Sequence, residues 1–82
     1  MAEKPIGEIT HYFSKIGVAV VKIADRLKEG EQIAFRGATT DFTQAASSME
    51  VDHQHVTEAK RGQEVGMKVD QRVREGDKVY RA

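Results

Sequence analysis

One five-residue pattern occurs three times in this chain and constrains its fold more than any other feature. Leu27-Lys28-Glu29-Gly30-Glu31, Ala59-Lys60-Arg61-Gly62-Gln63 and Val73-Arg74-Glu75-Gly76-Asp77 share the order apolar, basic, charged, glycine, polar. Each precedes a β-rich run. The glycine is able to take the positive φ of a tight turn without the steric cost an L-residue would carry. The apolar residue anchors the turn to a core, and the flanking charges keep it in water. Three copies in 82 residues predict an all-β domain whose strands begin at equivalent turns.

The runs between the turns support this reading. Ile6 to Phe13 alternates Glu8, Thr10 and Tyr12 with Ile9 and His11, and Lys15-Ile16-Gly17 then reverses the chain. Val18 to Ile23 is β-branched and apolar on both faces, which predicts a central strand covered on both sides. Asp25 to Gly30 is turn-like, and Glu31 to Arg36 points Ile33 and Phe35 inward with Gln32, Ala34 and Arg36 outward. Gly37 to Asp41 reads as an exposed loop. Phe42 to Val51 reads as a strand carrying Thr43, Met49 and Val51, interrupted by Ala45, Ala46, Ser47 and Ser48, although its alanine content also fits a short helix. His53 to Val56 follows, then a polar turn over Glu58 to Gly62, and Glu64 to Val69 and Lys78 to Arg81 close the sheet. The expected core is Ile9, Val18, Val20, Leu27, Ile33, Phe35, Val65, Met67, Val69 and Val79. One domain over residues 6–82 is expected, preceded by a flexible N-terminal segment 1–5.

Composition excludes several functions. Without cysteine there is no disulfide, thiolate metal site or thiol nucleophile, and a reducing, cytoplasmic setting is expected. The N-terminus lacks an apolar signal core, and no apolar run approaches the roughly 20 residues of a membrane helix. Thirteen basic residues balance thirteen acidic ones, so no net field drives non-specific phosphate binding.

The turns, with Gly17-Val18-Ala19-Val20-Val21 and Leu27 through Gly37, resemble domain two of the translational GTPases, the elongation factor Tu type of barrel. Asp41-Phe42-Thr43-Gln44 and Val69-Asp70-Gln71-Arg72-Val73 are similar to the small C-terminal barrel of collagenase-like peptidases and to free-standing elongation-factor-like proteins. The resemblance implies a small closed six-stranded antiparallel barrel with no activity of its own. It implies docking on a translation component or, alternatively, an accessory role in trans for a collagenase-like peptidase. The chain departs from the elongation-factor pattern at Ile16 and at Val21-Lys22, where an arginine and a Thr-Gly pair belong, so capture of aminoacyl RNA by those residues is not expected. No phosphate loop of the Gly-x-x-x-x-Gly-Lys-Ser/Thr type is present.

Candidate sites are few. On a strand, His53 and His55 would share a face, but zinc wants at least three protein ligands and Glu50, Asp52 or His11 would have to supply the rest. A solvent-facing strand is the expectation, with no metal and no cofactor. Tyr12 and Phe13 beside Lys15 offer an aromatic surface. Thr39, Thr40, Asp41, Ser47 and Ser48 offer hydroxyls and a carboxylate without a fixed base, which turn chemistry explains, so no catalytic residue is assigned. The outward basic residues are Arg36, Lys60, Arg61, Arg72 and Arg74, interleaved with Glu29, Glu58, Glu64 and Glu75, and the macromolecule-binding candidates are Arg36, Thr39, Thr40, Asp41, Lys60 and Arg61. The expected partner is a protein or ribonucleoprotein, and the expected state a monomer or weak self-associate.

Overall fold

The computed structural model describes residues 4–82, and every regular element in them is a strand. In chain order these are β1 (Gly7–Phe13), β2 (Val18–Ile23), β3 (Leu27–Lys28), β4 (Gln32–Arg36), β5 (Asp41–Ala45), β6 (Glu50–Val51), β7 (Gln54–His55), β8 (Glu58–Ala59), β9 (Glu64–Lys68) and β10 (Lys78–Arg81). Of the expected flexible segment, residues 1–3 lie outside the described residues. Ile6 is buried, and its N–H donates to the Val79 carbonyl at 2.7 Å.

The three repeated turns are built alike, and the last residue of the pattern has a defined role. Gly30, Gly62 and Gly76 have φ of 93°, 90° and 91°, as the third position of a type II turn requires. The polar residue that follows each glycine reaches back to cap the turn. The N–H groups of Lys28, Lys60 and Arg74 donate to Glu31 Oε1, Gln63 Oε1 and Asp77 Oδ2 at 2.9, 2.8 and 2.9 Å. Each glycine N–H in turn donates to a distant backbone carbonyl, of Ala46, Ile23 and Ile9 respectively. The anchoring residues Leu27, Ala59 and Val73 are buried as the pattern predicts.

All pairings are antiparallel, and the main sheet has the order β5-β4-β10-β1-β2-β9-β6-β7, with β3 and β8 forming a separate ribbon. The all-β expectation holds, but the closed six-stranded barrel does not form: the sheet stays open between β5 and β7. Backbone ladders need two strands in register, and beyond Lys68 the chain bends over Asp70 and Gln71. A buried side chain joins β5 to the end of β9 instead. Gln44 on β5 donates from Nε2 to the Lys68 carbonyl at 2.9 Å and accepts from the Asp70 N–H at 2.8 Å.

One hydrophobic cluster fills the inside, with Phe35 and Phe42 stacked at 4.8 Å. The expected core is corrected at β2. Ala19, Val21 and Ile23 are buried, whereas Val18 and Val20 lie half-exposed on the outer face that Lys22 also occupies. A charged residue of that parity was the signal available in the sequence. In β1 the alternation shifts at Thr10, where a bulge separates the pairs Ile9↔Val21 and His11↔Val20. His11 therefore turns outward with Phe13, while Tyr12 packs against the core. Ala34, expected outside, is buried between its cross-strand neighbours Tyr80 and Thr43.

The alanine-containing stretch after Phe42 forms no helix. Strand β5 ends at Ala45, and β6 and β7 make a hairpin across Asp52-His53, with φ of 53° and 64°. This two-residue loop has the positive φ at both positions that Asn-Gly suits best. Left-handed backbone costs an L-residue roughly 1–2 kcal/mol. Replacing Asp52→Asn together with His53→Gly should therefore raise stability by about 1 kcal/mol, about 5 °C in Tm for a domain this small. Thermal unfolding with no rise in Tm would show that the turn is not strained.

Candidate functional site

The histidines do not assemble a metal site. His53 sits in the hairpin turn, so it does not share a strand face with His55 as the sequence predicts. His55 Nε2 instead contacts Glu29 Oε2 at 2.8 Å, and His11 Nδ1 lies 3.6 Å from Glu75 Oε2. Among the described residues no group of three potential ligands converges.

The six predicted binding residues separate into two places. Arg36 pairs across the sheet with Lys78 and Asp41, whereas Arg81 pairs with Ile33. Arg36 and Ile33 are therefore at opposite ends of β4, about 10 Å apart at 3.3 Å per residue. Arg36, Thr39 and Asp41 are exposed at the first end. Thr40 is only 4% exposed and its hydroxyl donates to Asp77 Oδ2, so it holds the loop to a turn and presents nothing to a partner. Lys60 and Arg61 lie at the other end, in a cleft with Asp25, Arg26 and Arg81.

Arg81 organises that end. Its guanidinium donates to Asp25 Oδ2 at 3.1 Å, to Glu31 Oε2 at 3.2 Å and to the Arg26 carbonyl. Arg26 Nε is 3.0 Å from Glu58 Oε2. Hydrogen bonds from Arg81 and from the Arg26 N–H hold the Asp25 carboxyl below the usual range. The Lys28 N–H, followed by Arg81, does the same for Glu31. The two carboxylates raise the Arg81 pKa in return, Asp25 contributing more. Sequence reasoning missed this network because Arg81 is 50 residues from Glu31 and 56 from Asp25. Among the described residues, no carboxylate lies within 4.0 Å of Lys60 or Arg61.

A second surface is apolar. Among the described residues, the exposed large hydrophobic ones are Phe13 and Ile16, at 50% and 63%, and both belong to the tip of the β1–β2 hairpin. The register places Phe13 opposite Val18 and His11 opposite Val20. On the far side of β2, Gly66 faces Val20 without a side chain and Lys68 faces Val18. The outer face of this hairpin thus groups Phe13, Val18 and Val20 beside His11 and Lys68, and its turn carries Lys15 and Ile16.

Comparison with known proteins places this architecture beside peptidases. No family model matches the chain. It is 38% identical over 76 residues to an uncharacterized protease of Methanocaldococcus jannaschii, the match spanning 92% of this chain and 19% of that protein. It is 35% identical over 78 residues to a collagenase of Porphyromonas gingivalis, spanning 93% of this chain and 22% of the collagenase. The chain therefore spans about a fifth of the length of these relatives. In fold it is similar to the C-terminal domain of a Geobacillus thermoleovorans protein assigned to the U32 peptidases. The TM-score is 0.90 at 20% identity, with 95% of this chain and 99% of that one covered. A second structure of that domain gives 0.89 at 20% identity, covering 98% and 92%. The elongation-factor likeness read from the turns gains no support from these relatives.

Proposed function

We propose that this chain is a non-catalytic accessory β domain that works on a collagenase-like peptidase, docking on a peptidase-like chain supplied in trans. The observation that carries this reading is the 38% identity to a segment amounting to 19% of a longer protease. A module that recurs within larger peptidases and offers no converged nucleophile, base and orienting group among its described residues suits binding better than bond cleavage. Proteases and collagenases among the relatives favour this over docking on a translation component. The hairpin tip at Phe13 and Ile16 supplies the contact surface, because exposed large apolar side chains grouped on one protrusion are stabilised by a partner and not by solvent.

The test is affinity capture of tagged protein from lysate of its own source, with nuclease and added salt, followed by peptide-hydrolysis assays on the partner recovered. A peptidase-like chain retained through both treatments, and more active with this domain added, is the expected result. Ribosomal proteins lost on nuclease treatment, or a peptidase indifferent to the domain, would overturn it. Replacing Phe13→Ser and Ile16→Ser together should abolish capture while leaving stability within about 0.5 kcal/mol, since neither side chain is in the core. Undiminished capture by that variant would exclude the hairpin tip as the contact.

A further inference from the structure

The three equivalent turns act as internal controls for one another, and one of them departs from the others at its tip. The second turn residue is Glu29 in the first copy, Glu75 in the third and Arg61 in the middle one. Both glutamates are engaged by a histidine, Glu29 by His55 at 2.8 Å and Glu75 by His11 at 3.6 Å. Arg61 has the opposite charge on the same backbone, and among the described residues it has no carboxylate within 4.0 Å. The turn geometry does not require this charge, since Gly62 has the φ of its counterparts and Gln63 caps the turn as Glu31 and Asp77 do.

The surroundings of Arg61 are concave and rich in cations. Three adjoining clefts all include it, the largest of about 650 Å³ lying between Lys60, Arg26 and Arg81, and a neighbouring one of about 550 Å³ reaching Lys4. Arg26 and Arg81, which line the cleft with Asp25, already pair with Glu58 and with Asp25 and Glu31 respectively. Among the described residues, Lys60 and Arg61 have no carboxylate within 4.0 Å, and the Arg61 charge acts on Asp25 only at longer range. A dianion would meet repulsion from the Asp25 carboxylate, which lines the cleft. A carboxylate on an otherwise neutral or extended backbone meets less of it, and the apolar part of the adjoining cleft, at Pro5, Gly7 and Ile23, accepts the carbon chain that carries it.

We infer that the cleft around Arg61 is a binding site for a carboxylate-bearing peptide segment, with Arg61 as its principal anchor and Lys60 as its second cation. The inference stands apart from the peptidase reading, because a free acidic peptide tests it with no peptidase present.

The experiment is a titration of the isotopically labelled chain, at low and moderate salt, with a short peptide carrying one glutamate and capped at both ends, with its glutamine counterpart, and with inorganic phosphate. Saturable shifts of the Lys60, Arg61, Gly62 and Asp25 amides are expected with the glutamate peptide alone. Arg61→Glu gives the middle turn the tip residue of the other two, so its fold is retained by precedent within the molecule. It should weaken binding by about ten-fold or more, the effect of one charge-assisted hydrogen bond. Arg61→Gln, which removes the charge without reversing it, should also weaken binding, though by less. No shifts with the glutamate peptide, equal shifts with the glutamine peptide or with phosphate, or undiminished binding by both variants would overturn the inference.

Discussion

Asp77→Ala is expected to lower the Tm by about 15 °C, equivalent to about 3 kcal/mol in a domain of this size. Asp77 is 6% exposed, and a single carboxylate oxygen, Oδ2, accepts from the Arg74 N–H and from the buried Thr40 hydroxyl. It therefore caps the third turn and also ties that turn to the loop joining β4 and β5. Hydrogen bonds to a charged group contribute about 1.5–3 kcal/mol each, and truncation leaves two donors without their partner in a shielded place. Gly37 packs so closely on the carboxylate that a Cβ there would lie 2.0 Å from Asp77 Oδ1. Two further substitutions separate the causes. Asp77→Asn keeps an acceptor oxygen and should cost about half as much. Gly37→Ala should destabilise wild type but much less in the Asp77→Ala background, because the clash is with that side chain. Denaturant unfolding of the four proteins measures this coupling. If Asp77→Ala loses less than about 1 kcal/mol, the turn cap and the loop tie are not what holds this corner.

Gln44→Leu is expected to cost about 2–3 kcal/mol although it increases the apolar character of the core. The side chain is 7% exposed and completes the join between β5 and the segment after β9, where no backbone ladder exists. Leucine has similar size but leaves the Lys68 carbonyl and the Asp70 N–H unpaired. Hydrogen exchange localises the effect: the Asp70 amide should exchange faster by more than the global loss of stability accounts for, because the seam opens first. Gln44→Glu supplies a second test through pH. An ionised carboxylate there accepts from Asp70 but faces the Lys68 carbonyl without a proton to donate, and burial raises its pKa. A carboxyl whose folded pKa exceeds its unfolded one contributes more stability at low pH and loses it as pH rises through the folded value. The variant should therefore approach wild-type stability toward acid pH and fall behind at neutral pH. A pH-independent difference would mean that the Nε2 bond to Lys68 contributes nothing.

The apolar and the basic surface occupy distinct places in the fold. Phe13 and Ile16 project from the longest hairpin, and the Arg61 cleft lies among the turns. Phe13, Ile16, Lys60 and Arg61 all lie outside the core cluster, so each surface can be altered alone and the fold checked separately.

Much of this was legible in the sequence wherever the determinant is local. The three turns, the strands β1, β2, β4, β9 and β10 and the burial of Leu27, Ile33, Phe35, Val65, Met67 and Val79 follow from glycine sterics and period-two patterning within a few residues. Lys60 and Arg61 were visible as turn charges for the same reason. Sequence pattern was not enough where parity is ambiguous: in the all-apolar start of β2, Val18 and Val20 look as buried as Ala19 and Val21, and the bulge at Thr10 moves His11 to the other face.

By itself the sequence determined an all-β chain, its three capped glycine turns and the absence of thiol chemistry, because each depends on what a residue and its near neighbours can adopt. Only the tertiary structure decided that the sheet stays open, that Gln44 joins β5 to the end of β9 across 24 and 26 residues, that Thr40 is fastened to Asp77 across 37, and that Arg61 stands apart from Arg36. Those outcomes depend on which distant segments share a register. A single side chain satisfies many registers equally well until the whole sheet has twisted and packed.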